Sequence, residues 1–349
     1  HANHSEFELC GPRVLPPSEG LFRESWLLAA KDLAAGVLAG HFRQLKFLKR
    51  IRDEVGLVVA VGDLFPVLWA GLSRCRPILF VGTAKSVYHH PYSALERALL
   101  RRFANLSVVR DNPTAEALRG QGLNAEWLGN AMMDEVQPEG LELPFTAGAP
   151  VITIFPGSRS LAPGVLAYQL QVVERVSGTH AEVEFAVAMA PGTSVAALCG
   201  VAEEAGWSVS LGRFDYHRGI LEKGKCRVHL LIGVLGDLLH RSVLALGQAG
   251  TANEQAAGAG VPVVAYDPKG DRGLRWYRKR QKGLLGDAVA VVKQEVSAIA
   301  GELQFLLDNR QERERRAQVG QERMGPSGGG ERMAAAVAAL WKTEVEETL

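Results

Sequence analysis

The sequence predicts an α/β protein built from two parallel sheets, each covered by helices. Short apolar runs alternate with stretches of helical spacing over most of the chain, which is the pattern of repeated strand–helix–strand units. At 135–150 the composition shifts to Pro, Gly and acidic residues without any period, which predicts an interdomain linker. The 349 residues, 47% hydrophobic and 22% charged, suffice for two α/β domains with full cores.

Charge, cysteines and hydropathy argue against several classes of function. The 39 basic and 38 acidic residues nearly balance, so we expect no nucleic-acid partner. The four cysteines form no CxxC pair and the nine histidines form no HExxH pattern, so neither a metal site nor a disulfide framework is predicted. The sequence shows no transmembrane-length apolar run and no signal peptide. We expect a cytoplasmic protein without a cofactor, with the inner face of a membrane as the alternative.

The first half of the chain predicts a sheet covered by helices. Residues 7–12 suggest a strand and a turn, whereas a doubly wound domain usually opens with a strand, a glycine-rich loop and a helix. We therefore expect that a first βα unit is missing. Apolar residues recur at helical spacing over 22–52, with an interruption near Gly36 and Gly40. Strands are predicted at 57–61, 77–81, 106–109 and 125–128.

Three polar residues follow two of these strands. Asp63 comes directly after the strand at 57–61, and Lys85 and Ser86 follow the strand at 77–81. Ligands of open α/β sheets bind at the carboxyl ends of the strands, where a carboxylate can serve as a general base. Two alternatives stand for each charged residue: Asp63 is a base or caps the next helix, and Lys85 contacts a phosphate or faces solvent.

The second half repeats the alternation. Strands are predicted at 151–155, 183–189, 207–211, 228–232, 243–246, 261–266 and 289–292. The first of them leads into Gly157, Ser158 and Arg159, a tight turn whose N–H groups and guanidinium can bind an anion. The spacing of a P-loop is absent, and no GxGxxG follows a strand.

The unit at 243–267 organises this half as a strand, a turn, a short helix and a strand. Gly247 and Gly250 mark the turn, and Thr251 with Glu254 three residues later has the spacing of a capping box. A helix that starts there directs its free N–H groups at the carboxyl edge of the sheet, where anions bind. Glu254 either folds back on the helix start or accepts hydrogen bonds from a sugar diol.

The remaining segments predict a loop and three helices. The loop at 268–282 carries two aromatic residues among arginines and lysines, so it either contacts an anionic membrane or surrounds a half-buried aromatic pair with snorkelling side chains. Helices are predicted at 296–307, 310–323 and 332–341, with a flexible break at 325–330.

Several motifs together resemble a known family. FPGSR at 155–159, AGTA at 249–252 with Glu254, and GVP at 260–262 occur in this order, after GN at 129–130. They are similar to motifs of the lipid-A-disaccharide synthase group of glycosyltransferases. The segments VGD at 61–63, GTAKS at 82–86 and QKGLLG at 281–286 favour the branch called lipid-A-disaccharide synthase-related proteins. The resemblance runs from about residue 11 onward.

The resemblance implies the GT-B architecture, in which two Rossmann-like domains with parallel sheets face each other across a cleft. An acceptor-side domain is then expected at 1–146, a domain for the nucleotide-sugar donor at 147–325, and a last helix at 326–349 that crosses back to the first domain. The glycine-rich loop that this family carries near its start is not found in this chain.

The resemblance also implies roles for individual residues. Glu254 would hold the ribose of a UDP-sugar. The diphosphate of that sugar would be contacted by two turns, with residues Gly250 and Thr251, and Gly157, Ser158 and Arg159. Gln281 would lie near the donor. Asp63 would activate the acceptor, on the side of Lys85 and Ser86. The implied reaction transfers N-acetylglucosamine or an acylated derivative to a lipid-like or glycan acceptor, with inversion at the anomeric carbon. It is expected to need no metal ion.

Two alternatives to a transferase follow from the same motifs. The first is an enzyme like UDP-N-acetylglucosamine 2-epimerase, which shares the donor site and also needs carboxylates and a histidine around the sugar. The second is a non-catalytic module that binds a UDP-sugar through Glu254 and Arg159. The sequence is compatible with a homodimer and with peripheral membrane contact.

Overall fold

A computed structural model of the chain describes residues 8, 10–12, 37–157, 161–267 and 272–344. The chain forms two compact units. The first comprises His1–Leu128 and Glu331–Leu349, and the second is the continuous segment Gly129–Gly330. Some predictions fall outside the described residues. They concern residues 1–7 and 13–36, Ser158 and Arg159, and the start of the basic loop.

The first unit contains a four-stranded parallel sheet whose strands follow one another in chain order. The strands are β1 (Val58–Gly62), β2 (Ile78–Gly82), β3 (Leu106–Val109) and β4 (Ala125–Glu126). The helices between and before them are α1 (Val37–Ile51), α2 (Phe65–Ser73), α3 (Ala94–Phe103) and α4 (Asn112–Arg119). A capping box of Ser93 and Glu96 starts α3, and the Asp111 side chain caps α4.

Both faces of this sheet carry apolar side chains. Ile78 and Phe80 of β2 pack with Leu100 of α3 in the main cluster of the unit. On the other face, Leu79 and Val108 are covered by Met333 and other apolar residues of the last helix, α12 (Gly329–Glu344). The last helix of the chain therefore completes the core of the first unit. A strand buried on both faces requires a continuous apolar run, which is how β2 reads in the sequence.

The second unit contains an eight-stranded sheet. Its strands are β5 (Val151–Phe155), β6 (Glu184–Met189), β7 (Ser208–Ser210), β8 (His217–Lys223), β9 (Cys226–Ile232), β10 (Ser242–Gly247), β11 (Val263–Asp267) and β12 (Val289–Lys293). They lie in the order β12–β11–β10–β5–β6–β9–β8–β7. All pairings are parallel except those of β7 with β8 and β8 with β9. Every residue of the central strand β5 is buried.

Seven α-helices lie wholly within this unit among the described residues. They are α5 (Ala162–Ser177), α6 (Val195–Glu204), α7 (Leu235–Arg241), α8 (Thr251–Gly258), α9 (Arg272–Leu285), α10 (Val296–Asp308) and α11 (Arg310–Met324). The basic segment predicted as a loop over 268–282 is thus largely helical, because α9 covers it from residue 272 onward. Its apolar and small positions recur at helical spacing once Leu284 and Leu285, both buried, are included.

Strand β8 is absent from the predicted elements. It forms an antiparallel hairpin with β9, and Gly224 in the turn has φ +60°, a conformation that favours glycine. The strand alternates buried and accessible residues instead of forming an apolar run. Its alternation and the glycine turn are the signals that could have revealed it.

The segment predicted as a linker, 135–150, lies within the second unit. Leu143 and Phe145 pack against a buried cluster that includes Val151. The Oδ1 atom of Asp237 accepts hydrogen bonds from the backbone N–H groups of Gly140 at 2.8 Å and Leu141 at 3.0 Å. These contacts attach an irregular segment to the unit although its composition resembles that of a linker.

The two ends of the second unit are tied together. Asn130 donates from its backbone to the carbonyl of Pro326 at 3.3 Å and from its side chain to that of Met324 at 3.1 Å. The Asp134 carboxylate accepts hydrogen bonds from the backbone of Gly328 and, at 2.8 Å, of Gly330. The Gly129-Asn130 motif thus fastens the entry of the chain into this unit to its exit.

Helix α8 is held against α11 at a backbone contact. A Cβ atom on Gly320 would lie 2.2 Å from the carbonyl oxygen of Ala257 and 3.1 Å from Cβ of Ala288. Glycine at this position therefore allows α11 to approach α8 closely. The contact holds α8 near its C-terminal end, at Ala257.

We expect Gly320→Ala to lower the free energy of unfolding by about 2 kcal/mol, because the new methyl group meets backbone that cannot rotate away. Gly301→Ala is the matched control: Gly301 lies on the exposed side of α10 with nothing within 4 Å of its Cβ position. That variant should gain about 0.5 to 1 kcal/mol from helix propensity. Urea unfolding of both variants checks the opposite signs; a stabilised Gly320→Ala protein would contradict the close approach.

Two neighbouring histidines are buried in the hairpin of β8 and β9. His217 and His229 are 2% and 3% exposed, and Nδ1 of His229 lies 3.1 Å from Nε2 of His217. Nδ1 of His217 accepts from the backbone N–H of Arg213 at 3.3 Å, so its proton is on Nε2. Burial, followed by the charges of His217 and Arg227, lowers the pKa of His229 from its ordinary value of 6.5 to about 4.

The neutral pair should make stability depend on pH. Below pH 6.5 the unfolded chain binds a proton at His229 that the folded chain does not bind until about pH 4, so stability falls as the pH falls through this window. We expect a loss of about 2 kcal/mol between pH 7 and pH 5. The measurement is urea unfolding of the wild type and of His229→Gln at both pH values. In the variant, the contribution of His229 to the pH dependence of the unfolding free energy should disappear. An unchanged dependence in the variant would assign it to other groups.

Candidate functional site

The turn that joins β10 to α8 is the centre of the candidate site. Gln248 donates from its backbone to the carbonyl of Phe155 at 2.8 Å, and the chain then turns into the helix at Gly250. Gly250 occupies the N-cap position and Thr251 is the first helical residue, so the prediction that Thr251 caps the helix in a capping box is wrong. Glycine fits the N-cap position because a Cβ there would lie 2.6 Å from the Tyr277 hydroxyl, so a larger residue would require Tyr277 to move.

The carbonyl groups of the turn are held from behind by buried side chains. The three bonds run from Asn253 Nδ2 to Gly247 O at 3.2 Å, from Arg278 Nη1 to Ala249 O at 2.9 Å, and from Gln281 Nε2 to Gly250 O at 3.0 Å. Asn253, Arg278 and Gln281 are each at most 1% exposed. The orientation of the peptide groups in the turn is therefore fixed before any ligand binds.

The N–H groups of the same turn have no acceptors among the described residues. In the part of the chain that the structure describes, the N–H groups of residues 249–252 donate no hydrogen bond, whereas those of Asn253 and Glu254 donate to Gly250 O. Free N–H groups at the positive end of a helix favour a bound anion.

Glu254 lies in the first turn of α8 and is 8% exposed. A carboxylate near a helix N-terminus is stabilised by the helix dipole, which is the structural reason for an acidic residue at this position. The same location puts a hydrogen-bond acceptor within one helical turn of the free N–H groups. The Thr251 N–H donates no hydrogen bond among the described residues, so the alternative in which Glu254 folds back on the helix start has no contact there, and the contact of Glu254 with a sugar diol stays a prediction.

Gln281 and Arg278 form a network behind the turn. Gln281 Oε1 accepts from Asn253 Nδ2 at 3.1 Å and from Arg278 Nη1 at 2.9 Å, so both ends of its amide form hydrogen bonds to protein groups. These contacts give Gln281 a role in holding Gly250, and the donor contact predicted for it stays a prediction. Sequence reasoning missed Arg278, whose only signal is its position three residues before Gln281 on one helix face.

The neighbouring strand brings Gly157 to the same edge of the sheet. Phe155 of β5 and Gly247 of β10 are register partners. Gly157 has φ +99°, and a Cβ on it would lie 3.8 Å from the carbonyl oxygen of Gln248. The two turns predicted to bind the donor are therefore adjacent up to Gly157, and Ser158 and Arg159 lie outside the described residues.

In the first unit, Asp63 follows β1 and is exposed. Its Oδ1 atom accepts a hydrogen bond from the backbone N–H of Phe65 at 2.9 Å, at the start of α2. Leu64, one residue after Asp63, occupies the N-cap position of α2, so Asp63 is not the helix cap that the alternative predicted, although its side chain contacts the first helical residue; the role of a general base stays a prediction. Gly62 and Gly82 are register partners, so the segments after β1 and β2 start side by side.

Lys85 and Ser86 make contacts within the first unit. Lys85 Nζ lies 2.9 Å from Oε2 of Glu96. Burial alone would raise the pKa of Glu96, but hydrogen bonds from Lys85 and Ser93 outweigh it and lower the pKa. Ser86 is fully buried, and its hydroxyl accepts from the backbone N–H of Tyr88 at 3.1 Å. The acceptor-side roles of both residues stay predictions.

Two features are absent from the described ranges. No group of three or more His, Cys, Asp or Glu residues could hold a metal ion. None of the helices has both the length and the apolar character needed to cross a membrane.

Solved structures with similar folds define the class of protein. A Listeria monocytogenes protein proposed to be a UDP-N-acetylglucosamine 2-epimerase matches 88% of this chain and 80% of its own, with a TM-score of 0.57 and 19% identity. The UDP-GlcNAc 2-epimerase of Neisseria meningitidis, bound to UDP-GlcNAc, matches 87% and 81%, with a TM-score of 0.54 and 14% identity. MurG of Acinetobacter baumannii matches 88% and 79%, with a TM-score of 0.52 and 15% identity.

These likenesses establish the fold of the chain as GT-B, an α/β architecture of two units with parallel sheets. No protein-family model matches the sequence, and no curated protein matches it. The finer resemblance to the lipid-A-disaccharide synthase group gains no support from the structures named above and stays a prediction.

Proposed function

We propose that the chain binds a UDP-sugar at the turn before α8, with UDP-N-acetylglucosamine as the first candidate. The observation that carries the proposal is the set of four consecutive N–H groups, 249–252, without acceptors among the described residues. Such a set matches the oxygen atoms of a diphosphate. The similar folds of enzymes whose names include UDP-N-acetylglucosamine support this choice of nucleotide.

The remaining roles follow the geometry and the motifs. Gly250 and Thr251 contact the diphosphate through their N–H groups, and Gly157 lets Ser158 and Arg159 approach it from the neighbouring strand. Glu254, one turn into α8, accepts hydrogen bonds from the ribose hydroxyls. A departing UDP is stabilised by these N–H groups and by Arg159, so the proposed chemistry uses no metal.

The reaction that we propose is transfer of the sugar, with inversion, to a hydroxyl group of an amphiphilic or glycan acceptor. Asp63 takes the proton of that hydroxyl. A second candidate is epimerisation at C2 of the same UDP-sugar, and the fold likeness to UDP-N-acetylglucosamine 2-epimerases favours it at least as strongly as transfer. Binding without turnover is the third outcome.

One set of measurements separates these functions. Calorimetric titration with UDP and with UDP-N-acetylglucosamine tests binding, and saturation should be reached below millimolar concentration. NMR of UDP-N-acetylglucosamine in D2O then tests chemistry: deuterium at C2 and a new 2-epimer identify an epimerase, whereas UDP release that requires an added acceptor identifies a transferase. If neither nucleotide binds at millimolar concentration, the proposal is wrong.

A further inference from the structure

The side chain of Arg278 is buried beside the turn and, among the described residues, is paired only with neutral groups. It is 1% exposed, and the four hydrogen bonds that it makes to described residues end on amide or carbonyl oxygens. Nε and Nη2 donate to Gln248 Oε1 at 3.2 and 2.9 Å, and Nη1 donates to Ala249 O and Gln281 Oε1, both at 2.9 Å. Within the described residues no carboxylate forms an ion pair with this guanidinium; Asp267 acts on it only through space.

This arrangement is unfavourable without a ligand. Burial of an ion without a counter-ion costs stability, and an arginine stays charged even when burial lowers its pKa. The adjacent N-terminus of α8 carries a partial positive charge of the same sign. An apolar side chain in this place would avoid both costs, whereas an anion bound at the N–H groups of 249–252 would compensate both charges.

We propose that Arg278 is a positioning residue for the diphosphate of the bound nucleotide: it holds the carbonyl of Ala249 and supplies the buried positive charge behind the free N–H groups. This inference rests on the proposed function and adds a residue to it. With Arg278 behind it, the turn attracts a doubly charged anion more strongly than a helix N-terminus alone would.

Gln248 offers a test that leaves Arg278 in place. In Gln248→Glu, the carboxylate keeps the acceptor for Nε and Nη2 and neutralises the guanidinium charge, while the hydrogen bond from Gln248 Nε2 to Tyr266 O, 3.0 Å in the structure, is lost. We expect UDP to bind about tenfold more weakly, because the positive charge behind the diphosphate position is cancelled in a partly buried site. The affinity for uridine, which carries no phosphate, should not change.

The control is Gln311→Glu, which adds the same charge at an exposed position of α11. It should bind UDP and uridine as the wild type does. Arg278→Met is the second variant, and it should also lose UDP affinity at least tenfold; urea unfolding shows whether each variant is folded under the conditions of the titration.

The possible results separate the two claims. Selective loss of UDP affinity in Gln248→Glu supports the role of Arg278. Equal losses for UDP and uridine, or wild-type UDP affinity in Gln248→Glu, overturn this role and leave the proposed function intact. A wild-type chain that does not bind UDP overturns the proposed function and this inference with it.

Discussion

Glu254→Ala is expected to weaken UDP binding about 100-fold, because a carboxylate that accepts two hydroxyl hydrogen bonds contributes on the order of 3 kcal/mol. Glu254 is 8% exposed in the first turn of α8, so the two ribose hydroxyls can be excluded from water when they bind. Glu254→Gln keeps one acceptor without the charge and should lose about tenfold.

The ligand provides the sharpest control for this prediction. The wild type should bind 2′-deoxy-UDP more weakly than UDP, and Glu254→Ala should bind both nucleotides equally. Glu204→Ala, at the exposed end of α6, removes a carboxylate from the same unit and should change neither affinity. If Glu254→Ala still prefers UDP, the carboxylate does not contact the ribose and serves the helix instead.

Asp63→Asn is expected to lower turnover about 100-fold while leaving the affinity for UDP-N-acetylglucosamine unchanged, because an amide cannot remove a proton. The structure makes this substitution informative. The Asp63 side chain accepts from the N–H of Phe65, and asparagine can accept the same bond and is an equally good residue at helix starts. The free energy of unfolding should therefore stay within about 0.5 kcal/mol of the wild type.

UDP release in the presence of an amphiphilic acceptor measures this effect. Asp63→Ala loses both the carboxylate and its hydrogen bond to the N–H of Phe65, so it should lose turnover and about 1 kcal/mol of stability. Equal turnover in Asp63→Asn and the wild type would remove Asp63 from the mechanism, and its hydrogen bond to Phe65 would then be its role.

The sequence predicts most of the sheets correctly because their central strands are buried on both faces. Such strands, β2 and β5 among them, read as continuous apolar runs between glycine-rich turns. The same signal fails for β8, which is half buried and alternates. It also fails for the segment at 135–150, where a few side chains, Leu143 among them, and one carboxylate, Asp237, fix a stretch of irregular backbone.

The candidate site is only partly visible in the sequence. The motif places Gly250, Thr251 and Glu254 at a helix start, but the residue that caps the helix depends on the space below the Tyr277 hydroxyl, which local spacing does not encode. Arg278 shows the same limit, since it reads as one of several exposed basic residues. Its burial depends on the packing of α9 against the turn, and only the structure shows which basic side chain points inward.

The hydrogen bonds of Asn130 and Asp134 that join the two ends of the second unit have a consequence for how the chain is divided between the units. Because the second unit is the continuous segment Gly129–Gly330 and its two ends are hydrogen-bonded to each other, it is an insertion within the first unit. A gene segment for such an insertion can be excised, or exchanged between relatives, at one pair of adjacent junctions. The first unit is assembled from two separate stretches of chain, so its completion during synthesis awaits the final helix.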